Sequence, residues 1–189
     1  MSSSYLFQSS RLGFRRWKSE DLPQLAALNA DPAVMEFFPR PYNYEETEAA
    51  IARYDTSFEQ NGFCFYAVDR LDTGEFIGFI GFSLARFEAD FTPCVEIGWR
   101  IMRSQWGYGF ATEGAARCLQ FAFEELQLKV VYSFTAWNNV KSENVMKKIG
   151  MRKTAEFLHP ALPVGHELQL HLLYLIEAGE FALAHASKK

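Results

Sequence analysis

Short stretches of alternating apolar and polar residues are separated along the chain by stretches of helical period. Leu12 and Phe14 share one face of a predicted strand over 11–17. Ser19 is placed to cap a helix running to about Asn29, with Leu22, Leu25 and Leu28 along it. Phe-Phe-Pro-Arg-Pro-Tyr at 37–42 reads as an aromatic loop broken by prolines. A second helix opens at Asn43, carries Ala50, Ile51, Tyr54 and Phe58 on one stripe, and stops before Gly62. Apolar strands are predicted over 63–69 and 76–85, joined by a hairpin loop at 71–75, and another strand over 94–102. Ala115, Leu119, Ala122 and Leu126 mark a helix over 111–126, and 129–137 is a β-branched and aromatic strand. A short helix over 140–149 is stopped by Gly150. Residues 154–158 and 167–176 read as a closing hairpin around a loop at 159–166.

The resulting order is β-α-α-β-β-β-α-β-α-β-β. Strand, helix, strand over 94–137 predicts a parallel pair with a crossover helix, while the hairpins predict antiparallel neighbours. An α/β (α+β) domain follows, with a mixed, mostly antiparallel sheet and helices on both faces. The length of 189 residues and a hydrophobic fraction of 49% fit one packed domain, expected over 5–186, with loose ends at 1–4 and 186–189. The 18 phenylalanines point to a thick core or an aromatic-walled pocket. A net charge of -4 argues against nucleic acid as a partner. No apolar run is long enough to span a membrane, and the first residues lack the pattern of a signal peptide, so a cytoplasmic location is expected. Cys64, Cys94 and Cys118 are odd in number and spaced unlike metal ligands, so neither a disulfide framework nor a metal site is expected.

The most informative turn is Trp106-Gly107-Tyr108-Gly109-Phe110-Ala111-Thr112-Glu113, between an apolar strand and an amphipathic helix. Small residues at 107, 109 and 111 let backbone approach a bound group, and the first helical turn offers unpaired N–H groups to an anion such as a diphosphate. The Lys-Ser/Thr pair of a nucleotide-binding P-loop is missing, and Thr112 occupies the third glycine position of a dinucleotide fingerprint. The same pattern also describes a plain tight turn. Glu113 is unwelcome beside a phosphate unless it points away.

In the preceding strand, a period of two puts Cys94, Glu96, Gly98 and Arg100 on one face. Glu96 and Arg100 form a salt bridge or meet solvent, or else Glu96 lines a cleft and accepts a proton. Cys94 reads as a buried thiol, since no histidine is near it in the sequence to activate it. In the short helix, Asn139 is an N-cap, and Ser142 shares a face with Val145 and Met146. Ser142 either satisfies helix-end backbone or donates into a cleft. Lys141, Lys147 and Lys148 form a solvated face from which one could reach a phosphate.

Val95-Glu96-Ile97-Gly98-Trp99, the 106–113 turn, Asn139-Val140-Lys141-Ser142-Glu143-Asn144-Val145-Met146-Lys147-Lys148-Ile149-Gly150-Met151 and His171-Leu172-Leu173-Tyr174 together resemble the GNAT superfamily of N-acetyltransferases, in the branch of the Rim-type ribosomal-protein N-terminal acetyltransferases. The resemblance covers about 11–178. It implies a GNAT fold in which two parallel strands splay apart to hold acetyl-CoA. It implies that Gly107, Tyr108, Gly109, Phe110, Ala111 and Thr112 meet the diphosphate. Backbone of Ile101 and Arg103 would meet the pantetheine arm, with the Ile101 N–H on the acetyl carbonyl. Asn139 would contact the pantetheine and Ser142 would lie near the sulfur, with Glu96 as base. Two departures stand out. Trp106 replaces the family's usual Gln or Arg, and Met146 stands where many members carry a tyrosine acid.

The implied reaction is direct attack of a primary amine in a ternary complex. A peptide α-amine, with pKa about 7.7–8.0, is neutral at pH 7 in about a tenth or more of molecules, whereas a lysine amine at about 10.4 is neutral in about 0.04%. A site with one carboxylate and no tyrosine acid therefore favours a protein or peptide N-terminus as acceptor. A small-molecule amine (polyamine, amino acid or antibiotic) is the alternative, to be marked by an acidic cluster in the acceptor pocket. A non-catalytic acyl-CoA-binding module is the other. Both a monomer and a homodimer fit the sequence.

Overall fold

The computed structural model describes residues 5–186. One eight-stranded sheet runs through it in the order β1-β2-β3-β4-β5-β6-β8-β7. The strands are β1 (Phe7–Gln8), β2 (Leu12–Arg15), β3 (Phe65–Arg70), β4 (Phe76–Ala85), β5 (Cys94–Ile101), β6 (Val130–Ala136), β7 (Arg152–Leu158) and β8 (Leu170–Glu177). The helices are α1 (Leu22–Ala30), α2 (Tyr44–Asn61), α3 (Phe110–Glu124), α4 (Val140–Lys148) and α5 (Ala178–Ala186). Every ladder is antiparallel except β5 with β6.

Strand alternation, shifted by one residue where the β3–β4 register skips Ile77, sorts the apolar side chains onto the two faces. Phe76 and Phe79 of β4 join Trp17, Leu25 and Leu28 beneath α1 and α2. Ile77, Ile80 and Phe82 join Phe14, Tyr66, Ala115, Leu119 and Met146 beneath α3 and α4. Gly114 lets α3 settle onto β4, because a Cβ there would lie 2.3 Å from Ile80 Cδ1. Arg15 locks β2 to β3 and to the turn before α1: Nε donates to Asp69 at 2.6 Å and Nη1 to Asp21 at 2.7 Å, all three side chains being buried. The charges are out of water but paired on both sides, which is the condition for tolerating them there.

Most predicted elements stand within a few residues of their place. Asn43 caps α2 as its sequence predicts, accepting from the Glu46 N–H at 2.8 Å. The helix expected from Ser19 instead begins with a 3-10 turn at Ser19–Asp21, and α1 starts at Leu22. Asp21 is drawn inward by Arg15, which displaces the cap. Ala186 ends a fifth helix rather than a loose tail; residues 1–4 and 187–189 lie outside the described residues.

Candidate active site

β5 is paired with β4 along its whole length, from Cys94 against Ala85 to Ile101 against Gly78. Its other edge behaves differently. β5 and β6 share one ladder pair, Glu96 with Tyr132, and the Ser133 hydroxyl donates to the Ile97 carbonyl at 3.0 Å. Beyond Ile97 no ladder pair joins the two strands among the described residues. The Met102 N–H donates to Ile77 O at 2.9 Å. Bonding alternates along an antiparallel ladder, so the Ile101 N–H is turned away from β4 and toward the open gap. Trp106 closes the far end, its indole N–H donating to the Ile101 carbonyl at 2.8 Å.

A cavity of about 930 Å³ runs through this gap. On the α3 and α4 side it is lined by Ile101, Gly107, Gly109, Phe110, Ala111, Thr112, Asn139, Ser142 and Met146. On the α1 and α2 side it reaches Phe37, Phe38, Tyr42, Glu96, Arg100 and His171. Arg103 and Tyr108 are not among the lining residues; both are exposed, Arg103 in a 3-10 turn and Tyr108 at the outer tip of the glycine turn.

Gly107 and Gly109 have φ of +84° and +82°, the left-handed region, and a Cβ at Gly107 would meet nothing within 4 Å. The turn thus needs glycine for its conformation and leaves open space in front of its backbone. The first N–H satisfied inside α3 is that of Glu113, which donates to Gly109 O at 3.0 Å. The N–H groups of Gly109 to Thr112 precede it and have no intrahelical acceptor. Glu113 turns away from them. The Ser9 hydroxyl donates to it at 2.7 Å, as do the Arg11 backbone N–H at 2.8 Å and Arg11 Nε at 2.6 Å. Against the upward push of burial, these bonds hold its carboxyl below the ordinary range. Arg11 also reaches the Tyr108 carbonyl with Nη2 at 3.1 Å. Lys141 lies over the Trp106 ring at 4.4 Å and lines the cavity, adding positive charge near the turn.

Asn139 caps α4, accepting from the Ser142 N–H at 3.2 Å, and its Nδ2 donates to Thr135 Oγ1 at 2.9 Å and Ser142 Oγ at 3.2 Å. Ser142 therefore serves the helix end and also faces the cavity. Met146 supplies a buried thioether wall there. The phenols among the lining residues, Tyr42 and Tyr54, belong to the α1 and α2 side.

Glu96 sits on an interior strand opposite Ser83 of β4. Burial pushes its carboxyl up to about 7, with a hydrogen bond from Ser83 opposing the shift. It remains partly open to the cavity and makes no salt bridge with Arg100 or with any other described residue. A carboxyl half-ionised near neutrality, at the narrow end of an opened strand pair, can take a proton from a nucleophile entering from the aromatic side. Cys94 shares the strand face, and burial raises its thiol to about 11, so it is not a thiolate. Burial also pushes His171 down to about 4, leaving it neutral beside His159.

Arg11 and its pairing with Glu113 escape sequence reading, because they meet across contacts made only on folding, and among the three lysines the sequence offered for a phosphate, the fold brings Lys141 over Trp106. Arg11 and Glu113 are 102 positions apart. The two serines and the arginine immediately before β2 were the available signal.

Residues 11–152 match the family model of the acetyltransferase (GNAT) domain. An uncharacterized N-acetyltransferase YnaD of Bacillus subtilis is 29% identical over 159 residues, covering 84% of this chain and 89% of that protein. The crystal structure of a GNAT-family acetyltransferase from Bacillus anthracis superposes with a TM-score of 0.75 at 24% identity, covering 91% of this chain and 98% of that one. Spermidine N-acetyltransferase from Vibrio cholerae, solved in complex with CoA and spermine, shares the fold with a TM-score of 0.73 at 20% identity, covering 92% and 99%. With its one parallel strand pair parted over a glycine turn, this chain belongs to the GNAT family of acetyltransferases.

Proposed function

We propose that this acetyltransferase uses acetyl-CoA to acetylate the α-amine of a peptide N-terminus or a comparable low-pKa amine. Acetyl-CoA supplies an activated acyl group as a thioester. The residues present suit such a donor: a left-handed glycine turn with unpaired N–H groups and open space before it accommodates a diphosphate. Gly107, Gly109, Phe110, Ala111 and Thr112 would hold that end, and Asn139 and Ser142 would border the pantetheine arm. The Ile101 N–H, facing the gap, is placed to donate to the carbonyl oxygen as it gains charge. Glu96 accepts the proton lost by the amine, directly or through water, as the N–C bond forms and the C–S bond breaks. With Met146 in the wall, no phenol protonates the leaving sulfur from α4. A thiol with pKa near 8.5 leaves adequately as thiolate.

The observation that carries this reading is Glu96, a near-neutral carboxyl without a salt-bridge partner at the point where β5 and β6 part. The acceptor side also bears on the substrate. Its carboxylates are Glu96 and Glu36, among aromatic side chains, and Glu36 has Lys141 at 4.0 Å. A polycation would find little counter-charge there, which favours an α-amine over a polyamine. Thiol release from acetyl-CoA with peptides free at the N-terminus, acetyl-blocked peptides carrying lysine, and spermidine tests the proposal. Free α-amines are expected to be fastest. Preference for lysine side chains or for spermidine overturns it.

A further inference from the structure

We propose that Arg100 is an acceptor-binding residue that grips a carboxylate, so that the natural acceptor is an amine that also carries a carboxylate group. The inference rests on the acetyl-transfer reading above and extends it to the far end of the acceptor.

Arg100 is 8% exposed on interior strand β5 and lines the cavity on the α1 and α2 side. Its guanidinium is framed by the Phe38 ring at 4.2 Å, Phe79 at 5.2 Å and Tyr42 at 5.5 Å. Nη1 donates to Asn29 Oδ1 at 2.5 Å, while Nε is buried with no acceptor. Among the described residues no carboxylate lies within salt-bridge range of Arg100. The contrast with Arg15 is direct. That arginine, 5% exposed, binds Asp21 and Asp69. A guanidinium taken out of water without a counter-charge is costly, and a ligand that brings the charge relieves the cost. Asn29 and the Tyr42 side chain bond to part of the fork, and Nε is enclosed without an acceptor, so the two oxygens of a carboxylate reach it as the half-exposed Phe38 ring moves aside. The aromatic frame holds the head in place and keeps water away from it.

Position along the strand then bounds the acceptor. Glu96 and Arg100 point from the same face, four residues apart, with Cα atoms about 13 Å from each other at the usual strand rise. The amine itself must lie at the thioester, near the Ile101 N–H and within direct or water-mediated reach of Glu96, so it stands no farther from Arg100 than about the 7 Å of an extended dipeptide. An amine-to-carboxylate distance of this order is found in a short peptide with a free C-terminus. It is also found in a longer peptide with Asp or Glu just after its N-terminal residue.

Calorimetric titration of the protein, with CoA present, with alanyl-alanine and its C-terminal amide tests the idea without requiring turnover. Alanyl-glutamate amide and alanyl-glutamine amide form the second arm. The carboxylate member of at least one pair is expected to bind about tenfold tighter or more. In Arg100→Gln that preference should vanish. A preference in the first pair alone assigns a free C-terminus, and in the second alone an acidic side chain. Equal affinity within both pairs in the unmodified protein overturns the proposal. So does a preference that survives Arg100→Gln. Carboxylate-selective binding without any thiol release from acetyl-CoA would instead defeat the acetyl-transfer reading and leave the anion site standing.

Discussion

Replacing Glu96 with Gln keeps the shape of the side chain and removes its ability to take a proton. Burial holds this carboxyl at about 7 instead of the ordinary 4.5. In the native enzyme, turnover should therefore climb as pH rises through about 7 with ionisation of Glu96 and level off only once the amine too is neutral, above about 8. A positioned general base contributes on the order of a hundredfold or more, about 3 kcal/mol of barrier. The variant should lose that factor at pH 7. Its residual rate should follow the neutral fraction of the amine and rise through about 7.7–8.0. The same substitution has a stability consequence of definite sign. Because the folded-state value lies above the unfolded one, the native protein binds more protons than the unfolded chain between pH 4.5 and 7. Stability from this group is therefore present at low pH and is lost as pH climbs toward 7. The rise from 4.5 to about 7 corresponds to at most about 3 kcal/mol, reduced by the residual solvent contact of the carboxyl. Glu96→Gln should thus match the unmodified protein in thermal stability at pH 4.5 and exceed it at pH 8. Steady-state rates from pH 5.5 to 9 and thermal melts at the two pH values provide the assay. An unchanged pH–rate profile removes Glu96 from the base role. A melting temperature lower than native at pH 8 refutes the claim that the carboxylate is buried at a cost.

Arg11→Met should leave the Glu113 carboxylate, still held by Ser9 and the residue-11 backbone N–H, without a counter-charge beside the open N–H groups of the glycine turn. CoA affinity should fall several-fold by calorimetry while the melting temperature barely moves, since the arginine side chain is half exposed; unaltered affinity would show that the pair does not guard the turn. Arg15→Met leaves Asp21 and Asp69 buried without their counter-charge, a loss of about 3–5 kcal/mol. A chain of this size should then melt roughly 10 °C lower. A drop below about 3 °C would mean that the aspartates find other partners.

How far the sequence reveals this molecule depends on the range of the interaction. The α2 cap at Asn43, the β4 strand and the glycine turn at 107–111 all rest on neighbours a few residues away, and all are legible. The side-chain alternation of β5 likewise puts Glu96 and Arg100 on one face before any fold is known. The choice between an ion pair and two separate roles was not legible. It depends on Phe38, Tyr42 and Asn29, which come from α1 and the loop after it, 58 or more positions before Arg100. The start of α1 was misjudged for the same reason, since Arg15 draws Asp21 out of a capping position. The final helix was missed because Ala178-Gly179-Glu180-Phe181 has weak helical period, and Phe181 is held by Phe123 of α3. Trp106 departs from the family pattern, and only the fold explains its use as a clasp on the Ile101 carbonyl.

The central claim is that the turn from Gly107 to Thr112 grips a diphosphate and so aims a thioester along the gap between β5 and β6. Calorimetric titration with CoA and, separately, with pantetheine addresses it most directly. One CoA should bind per chain, with pantetheine, which lacks the diphosphate, at least about tenfold weaker. Absence of any heat with CoA, or equal affinity for pantetheine, would contradict the account.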